Sequence, residues 1–383
     1  MKVTGIIVEY NPFHNGHSYH LNETIKHTNS DIIIAVMSGN YTERGEPAII
    51  DKKLRTELAL KAGVDIVIEL PYLFAVGHAD LFSFGAISLL NYCKVNEIVF
   101  GSESNDPDNL NNLAETLFKP DFDVLLKAFL AHGYSYPKAA NLALEKLLNK
   151  KYHLNANDLL GIQYIHQIKK INPNITYRTI KRIHNEYNTE LISHNSIASA
   201  TSIRNALKMG DNISSLVPKA SLKMLETEKL HFWDEYFPFL KYQIISNQNS
   251  LKNIHDVNEG IENRIIAKIK TARTFDALVA QLVSKRYTKG KIKRILTHIL
   301  NHVTKTEVKH YNINQGPNYL RILGFNESKS GFLKDLKQDF QIPIITNINK
   351  TNYHLLKLDL RVNEVYHCID DSTEQKIPVM IKR

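Results

Sequence analysis

The chain has 383 residues, 43% hydrophobic and 23% charged, with a formal net charge of +9 and two cysteines. That length supports two or three domains around a sizeable core, and no apolar run approaches the roughly 18 residues of a membrane span. Cys93 and Cys368 form no C-x-x-C pair, so neither a zinc ribbon nor a disulfide framework is indicated, and the opening MKVTGIIVEYNPF reads as a strand instead of a signal peptide. A cytoplasmic protein is expected.

In chain order, VTGIIVEY, DIIIAVMSG, VDIVIEL and NEIVFGSE are β-branched apolar runs that predict buried strands, with amphipathic helical segments near 17–28, 51–62 and 79–93 between them. Such alternation predicts an α/β fold with a doubly wound, Rossmann-like parallel sheet. Ligands of such sheets bind at the carboxyl ends of the strands, here NPFHNGH, SGN and FGSES. From 109 to 170 the pattern is mainly helical, and Asn155 or Asn157 is positioned to cap the segment running through NDLLGIQYIHQIKK. ITYRTIKRI at 175–183 predicts a further strand, and SATSIRNALKMG a capped helix closed by Gly210. Beyond about residue 230, ENRIIAKIKTA, TFDALVAQLVSKR and GKIKRILTHILNHV carry helical spacing. The expected division is a nucleotide-binding catalytic domain over 1–230 and a mainly helical basic domain over 231–383.

Charge is distributed unevenly. Residues 1–150 hold 13 Lys/Arg against 18 Asp/Glu, whereas 151–350 hold 30 against 16. A polyanionic partner for the second part is one reading of this asymmetry, and a solvated basic surface is the other.

The segment VEYNPFHNGHSYHL, residues 8–21, places two histidines three apart around a glycine between a strand and a helix. A helix start presents unpaired N–H groups and the positive end of its dipole, and Gly16 admits close approach of a phosphate. Imidazoles at His14 and His17 then serve as donors to an α-phosphate as pyrophosphate leaves. A zinc site there lacks an obvious third ligand in the nearby sequence.

FHNGH after a first strand resembles the H-x-G-H signature of nucleotidyltransferases related to class I aminoacyl-tRNA synthetases. GIIVEYNPFHNGHSYHL, AVMSGNYTERGEPAIIDKKLRTELAL, DIVIELP, FGSES, NDLLGIQY, TIKRI, SATSIR, SKRYTKGKIKRIL and YLRILGF together resemble the bacterial tRNA(Met) cytidine acetate ligase family over essentially the whole chain. The resemblance implies a ligase that forms acetyl-adenylate from acetate and ATP. It then acetylates the wobble cytidine of elongator tRNA(Met) to N4-acetylcytidine, releasing AMP and pyrophosphate.

By position, the resemblance implies an ATP site of Ile7, Val8, Glu9, Tyr10, Asn11, Pro12, Phe13, His14, Asn15, Gly16, His17, Ser18, Tyr19 and His20, with Gly101, Asn157 and Arg182. A segment like SATSIR contacts phosphates in related enzymes, which adds Ser202 and Arg204. Gly101 ends a strand where a side chain would obstruct ribose or adenine, and Arg182 is suited to the β- and γ-phosphates. Mg2+ is expected with ATP, but no carboxylate pair identifies a metal site. Six basic residues in SKRYTKGKIKR, namely Lys285, Arg286, Lys289, Lys291, Lys293 and Arg294, are candidate tRNA contacts, with Tyr287 available to stack on a base. Two alternatives are a small-molecule nucleotidyltransferase of coenzyme biosynthesis and a non-catalytic RNA-binding protein holding ATP structurally. Oligomeric state is left open.

Overall fold

The computed structural model describes residues 1–151, 155–183, 197–338 and 342–382. Four strands, β1 (Val3–Val8), β2 (Ile32–Ser38), β3 (Ile66–Leu70) and β4 (Glu97–Ser102), coincide with the four apolar runs, and β5 (Thr176–Lys181) with ITYRTIKRI. They lie parallel in the order β5-β4-β1-β2-β3. Chain order reverses between β1 and β4, so the crevice of this doubly wound sheet opens at their carboxyl ends. The strands are nearly continuous apolar runs because helices cover both faces; β2 and β3 are buried at every position.

Beyond residue 230 sequence patterning predicts a largely helical domain to the end of the chain. Helices Trp233–Ser246, Ile261–Ile269, Phe275–Leu282, Lys289–Leu300 and Lys305–Tyr311 do form that body, whose core includes Trp233 stacked on Phe275 with ring centroids 4.0 Å apart. The chain then returns to the sheet. Strand β6 (Leu320–Asn326) pairs antiparallel with β3, and β7 (Ile344–Ile345) and β8 (Val379–Ile381) pair with β6. Helices Ser330–Gln338 and Tyr353–Tyr366 follow, so the segment is helical with three sheet strands set into it, and YLRILGF supplies the first of them. Its partner β3 lies some 250 positions earlier, and a non-local pairing leaves no local periodicity to read.

A buried charge cluster secures this junction. Glu69 of β3 sits opposite Arg321 of β6 and forms an ion pair with it at 2.8 Å, while Lys52 reaches the same carboxylate at 2.7 Å. Glu374 completes the ring, 3.3 Å from Lys52 and 2.8 Å from Arg321. Both cations are at most 3% exposed, so each depends on these carboxylates to offset its desolvation.

The loop after β2 docks on the helical body through Gly45. Its φ is 65°, a left-handed conformation, and a Cβ there would lie 2.5 Å from the backbone nitrogen of Arg294. Its carbonyl accepts from Trp233 Nε1 at 2.9 Å and Thr297 Oγ1 at 3.0 Å.

Replacing Glu69 by Gln leaves two buried cations undercompensated. The denaturation midpoint should fall by an amount equivalent to about 3–5 kcal/mol. Glu57→Gln, which removes a partner of the half-exposed Lys61, should cost less than about 1 kcal/mol in the same assay.

Candidate active site

The chain leaves β1 through a sharp turn in which Tyr10 takes φ 50°, and the helix Asn15–Thr28 begins at His14. Two imidazoles cap that helix reciprocally. His14 Nδ1 accepts from the Gly16 N–H at 3.0 Å, and His17 Nδ1 accepts from the His14 N–H at 3.3 Å. The rings stack with centroids 3.8 Å apart, and Tyr10 packs edge-on against His17. Capping boxes are usually made by hydroxyls and carboxylates; here ring nitrogens do the same work.

This capping has a chemical consequence. Burial pushes His14 down to about 4, with the positive charges of Arg182 and Arg204 adding to the effect. His17 is lowered well below its ordinary value by burial, then by His14 and Arg182, and burial with Arg182 takes His20 to about 4. All three rings are neutral near pH 7. A neutral imidazole carries one ring proton, and Nδ1 of His14 and His17 is occupied as an acceptor. The proton therefore sits on Nε2, giving two fixed N–H donors at the mouth of β1.

The other sequence-predicted residues converge from three elements. A Cβ on Gly101, which stands in β4, would lie 3.2 Å from Arg182 Cγ, so the absent side chain admits Arg182 across the strand end. Arg182 follows β5 directly; its N–H donates to Ser102 O at 2.9 Å and its Nε lies 3.7 Å from Glu103. Glu103 also accepts from Asn157 Nδ2 and, at 3.0 Å, from the Asp158 N–H, tying the start of helix Ala156–Ile171 to the β4 edge. Asn155 is the residue at the cap position, so Asn157 lies inside the helix.

Arg204 is engaged within the protein. It donates to the Asn11 carbonyl at 2.8 Å and to Glu46 at 2.8 Å, bracing the turn before His14. Ser202 is exposed, its N–H donating to Ser199 Oγ at the cap of helix Ala200–Met209, which ends at Gly210. Asn15 Nδ2 donates to Ser215 O at 2.8 Å, fixing the other side of the loop.

Some participants carry no sequence signal of their own. Arg55 is fully buried and donates to the carbonyls of Glu9 at 2.8 Å, Ser38 at 3.0 Å and Ile50 at 3.1 Å, tying together the ends of β1 and β2. Glu9 Oε1 accepts from the Glu43 N–H at 2.8 Å, and Glu43 in turn meets Arg294 at 3.2 Å. Arg44 is exposed, 3.4 Å from Thr201 Oγ1, and its charge is felt at Arg182. Glu43 and Arg44 lie in YTERGE and Arg55 in KKLRTEL, where only the resemblance singles them out.

The basic stretch at 285–294 divides. Lys293 pairs with Glu46 and Arg294 with Glu43, both largely buried against the loop after β2. Tyr287 is buried, its hydroxyl donating to Asn258 O at 2.8 Å, so it is not available to stack on a base. Lys285, Arg286 and Lys289 are exposed, and Lys291 is half-buried with its ammonium 4.4 Å from the Tyr287 ring centroid.

The family model described as HIGH Nucleotidyl Transferase matches residues 1–378. The chain belongs to this family. Within it, the chain is 42% identical over 366 residues to a tRNA(Met) cytidine acetate ligase of Geobacillus sp. (strain WCH70), a match covering 92% of this chain and 90% of that one. It is 40% identical over 393 residues to a ligase of the same name from Clostridium perfringens (strain SM101 / Type A), covering 98% and 97%. Thermotoga maritima TmcAL bound with alpha-thio ATP superimposes with a TM-score of 0.87 at 32% identity over the whole of both chains, and its apo form with 0.88. In this HIGH nucleotidyl transferase the signature reads His14-Asn15-Gly16-His17, the segment that carries the two Nε2–H donors.

The neutral rings predict a pH signature. The unliganded protein keeps His14 and His20 uncharged down to about pH 4, so kcat/KM for ATP should show no inflection from them near 6.5. Because their folded pKa values lie below the unfolded ones, folding disfavours protonation, and their contribution to stability is lost as pH falls from about 6.5 toward 4. Thermal melts across this interval should show the decline, reduced in His20→Gln.

Proposed function

We propose that this chain is an ATP-dependent tRNA(Met) cytidine acetate ligase. The observation that carries the reading is the pair of neutral, capped imidazoles with Nδ1 occupied, in a chain whose relatives bear that ligase's name over nearly their full length. An acetate oxygen bonds to the α-phosphorus of ATP while the bond to pyrophosphate breaks. The two Nε2–H donors stabilise charge building on the phosphate oxygens, a role that needs fixed dipoles and no proton transfer. Arg182 supplies the nearby positive charge, and Arg204 positions the turn. The cytidine N4 then bonds to the acetyl carbon, the bond to AMP breaks, and N4 loses a proton.

Mg2+ is expected with the nucleotide. The carboxylates beside the loop, Glu9 and Glu43, are raised in pKa by burial and engaged by the Glu43 N–H and Arg294, so they do not form a hard-cation cage. A magnesium ion held mainly by phosphate oxygens and water fits this arrangement.

The tRNA surface in this reading is the outer rim of the helical body, where Lys285, Arg286 and Lys289 stand exposed. Lys291 contributes from the edge, while Lys293 and Arg294 act through the loop they hold. The activity belongs to the cytoplasm, with tRNA. Among the described residues no helix is long and apolar enough to cross a membrane.

Acetate-dependent pyrophosphate release, followed by nucleoside mass analysis of tRNA, tests the reading. The wild type should release pyrophosphate with acetate and yield acetylated cytidine, and His14→Ala or His17→Ala should each lower release by about 10²–10³-fold. Pyrophosphate release with another small acceptor and none with acetate would overturn it. Separately, Lys285→Glu with Lys289→Glu should weaken tRNA binding and flatten its salt dependence, leaving release of pyrophosphate with acetate intact.

A further inference from the structure

A second cluster of metal-type side chains lies in the helical body, outside the nucleotide loop. His255, Asp256 and His298 each offer one ligand atom, and these atoms all lie within 4.8 Å of one another. His255 Nε2 is 3.8 Å from Asp256 Oδ1, and His298 Nε2 is 4.0 Å from Asp256 Oδ2. Those separations exceed hydrogen-bond range. They suit ligands around a common centre, which an ion with bonds of about 2.0–2.2 Å would draw together by roughly half an ångström each.

The decisive group is His298. The residue is 1% exposed and its Nε2 has no hydrogen-bond partner, although it faces the Asp256 carboxylate. Leaving a buried ring nitrogen unpaired is costly. Its other nitrogen, Nδ1, is 3.0 Å from the phenolic hydroxyl of Tyr72, an outer partner of the kind that orients a metal-bound imidazole.

The surrounding backbone fixes the set. Asp256 adopts φ 61°, the His255 N–H donates to Val303 O at 2.8 Å, and Ile254 bridges Thr304. Arg294, whose charge reaches Asp256, is paired with Glu43, and Lys305 donates to Val257 O at 2.7 Å. His78 also feels Asp256 from the neighbouring helix, where its Nδ1 accepts from the Leu81 N–H at 3.4 Å.

We propose that His255, Asp256 and His298 bind a divalent first-row cation of the zinc class. Two imidazoles and one carboxylate match the ligand preference of such ions, and water completes the coordination. The ion clamps the 254–257 loop to helix Lys289–Leu300, the helix that carries Lys293 and Arg294 to the loop after β2. Its role is to stiffen that contact.

The test uses the full-length protein after dialysis against a chelator. Added Co2+ should bind in one equivalent with visible d–d absorption, and Zn2+ should displace it and raise the melting temperature. His255→Ala, at a half-buried position, and Asp256→Asn should abolish the cobalt spectrum and the thermal shift while circular dichroism stays native. His14→Ala should leave both intact. Absence of stoichiometric cobalt binding in the wild type, or its persistence in folded His255→Ala, would overturn the proposal.

Discussion

Glu69 is a single carboxylate on which the two halves of the molecule depend. Buried in β3, it meets Lys52 from the preceding helix and Arg321 from a strand that arrives some 250 residues later. Removing three charges from water is unfavourable unless they are brought close and shared, and the ring closed by Glu374 does that. Alternative pairings of β6 would strand these charges in the core. The cluster therefore fixes where the chain re-enters the sheet after its helical excursion, and hence how the helical body sits beside the nucleotide loop.

From that junction a chain of contacts runs to the site. The loop after β2 is pinned by Gly45 against the helix backbone and by Glu46 and Glu43 against Lys293 and Arg294. The Glu43 N–H reaches Glu9, and the Glu9 carbonyl accepts from buried Arg55. Glu9 precedes the turn that delivers His14. Basic residues of the helical body thus support the nucleotide loop by ion pairing, while Lys285, Arg286 and Lys289 on the same body stay exposed.

At the loop itself, the helix cap also sets the chemical state of the histidines. Capping a helix with imidazoles satisfies its first N–H groups and, by occupying Nδ1, sets the tautomer that presents Nε2–H. Burial and the nearby guanidinium groups keep the rings neutral, which favours hydrogen-bond donation over proton transfer. Arg182 provides formal charge from a separate strand, so donors and charge are positioned independently.

Much of this was legible in the sequence. The apolar runs determined β1 to β4 because strands buried on both faces need continuous β-branched residues, the alternating ITYRTIKRI marked the edge strand β5, and H-x-G-H at the end of the first run marked the nucleotide loop. The cap at Ser199 and the stop at Gly210 were likewise local chemistry. Tertiary structure alone decided the rest. Sequence spacing cannot show that Arg204 and Arg294 spend their charge inside the protein, that Tyr287 is buried, or that YLRILGF joins the sheet. Each outcome depends on a partner far away in the chain, and only folding brings those partners within the few ångströms over which hydrogen bonds and ion pairs act.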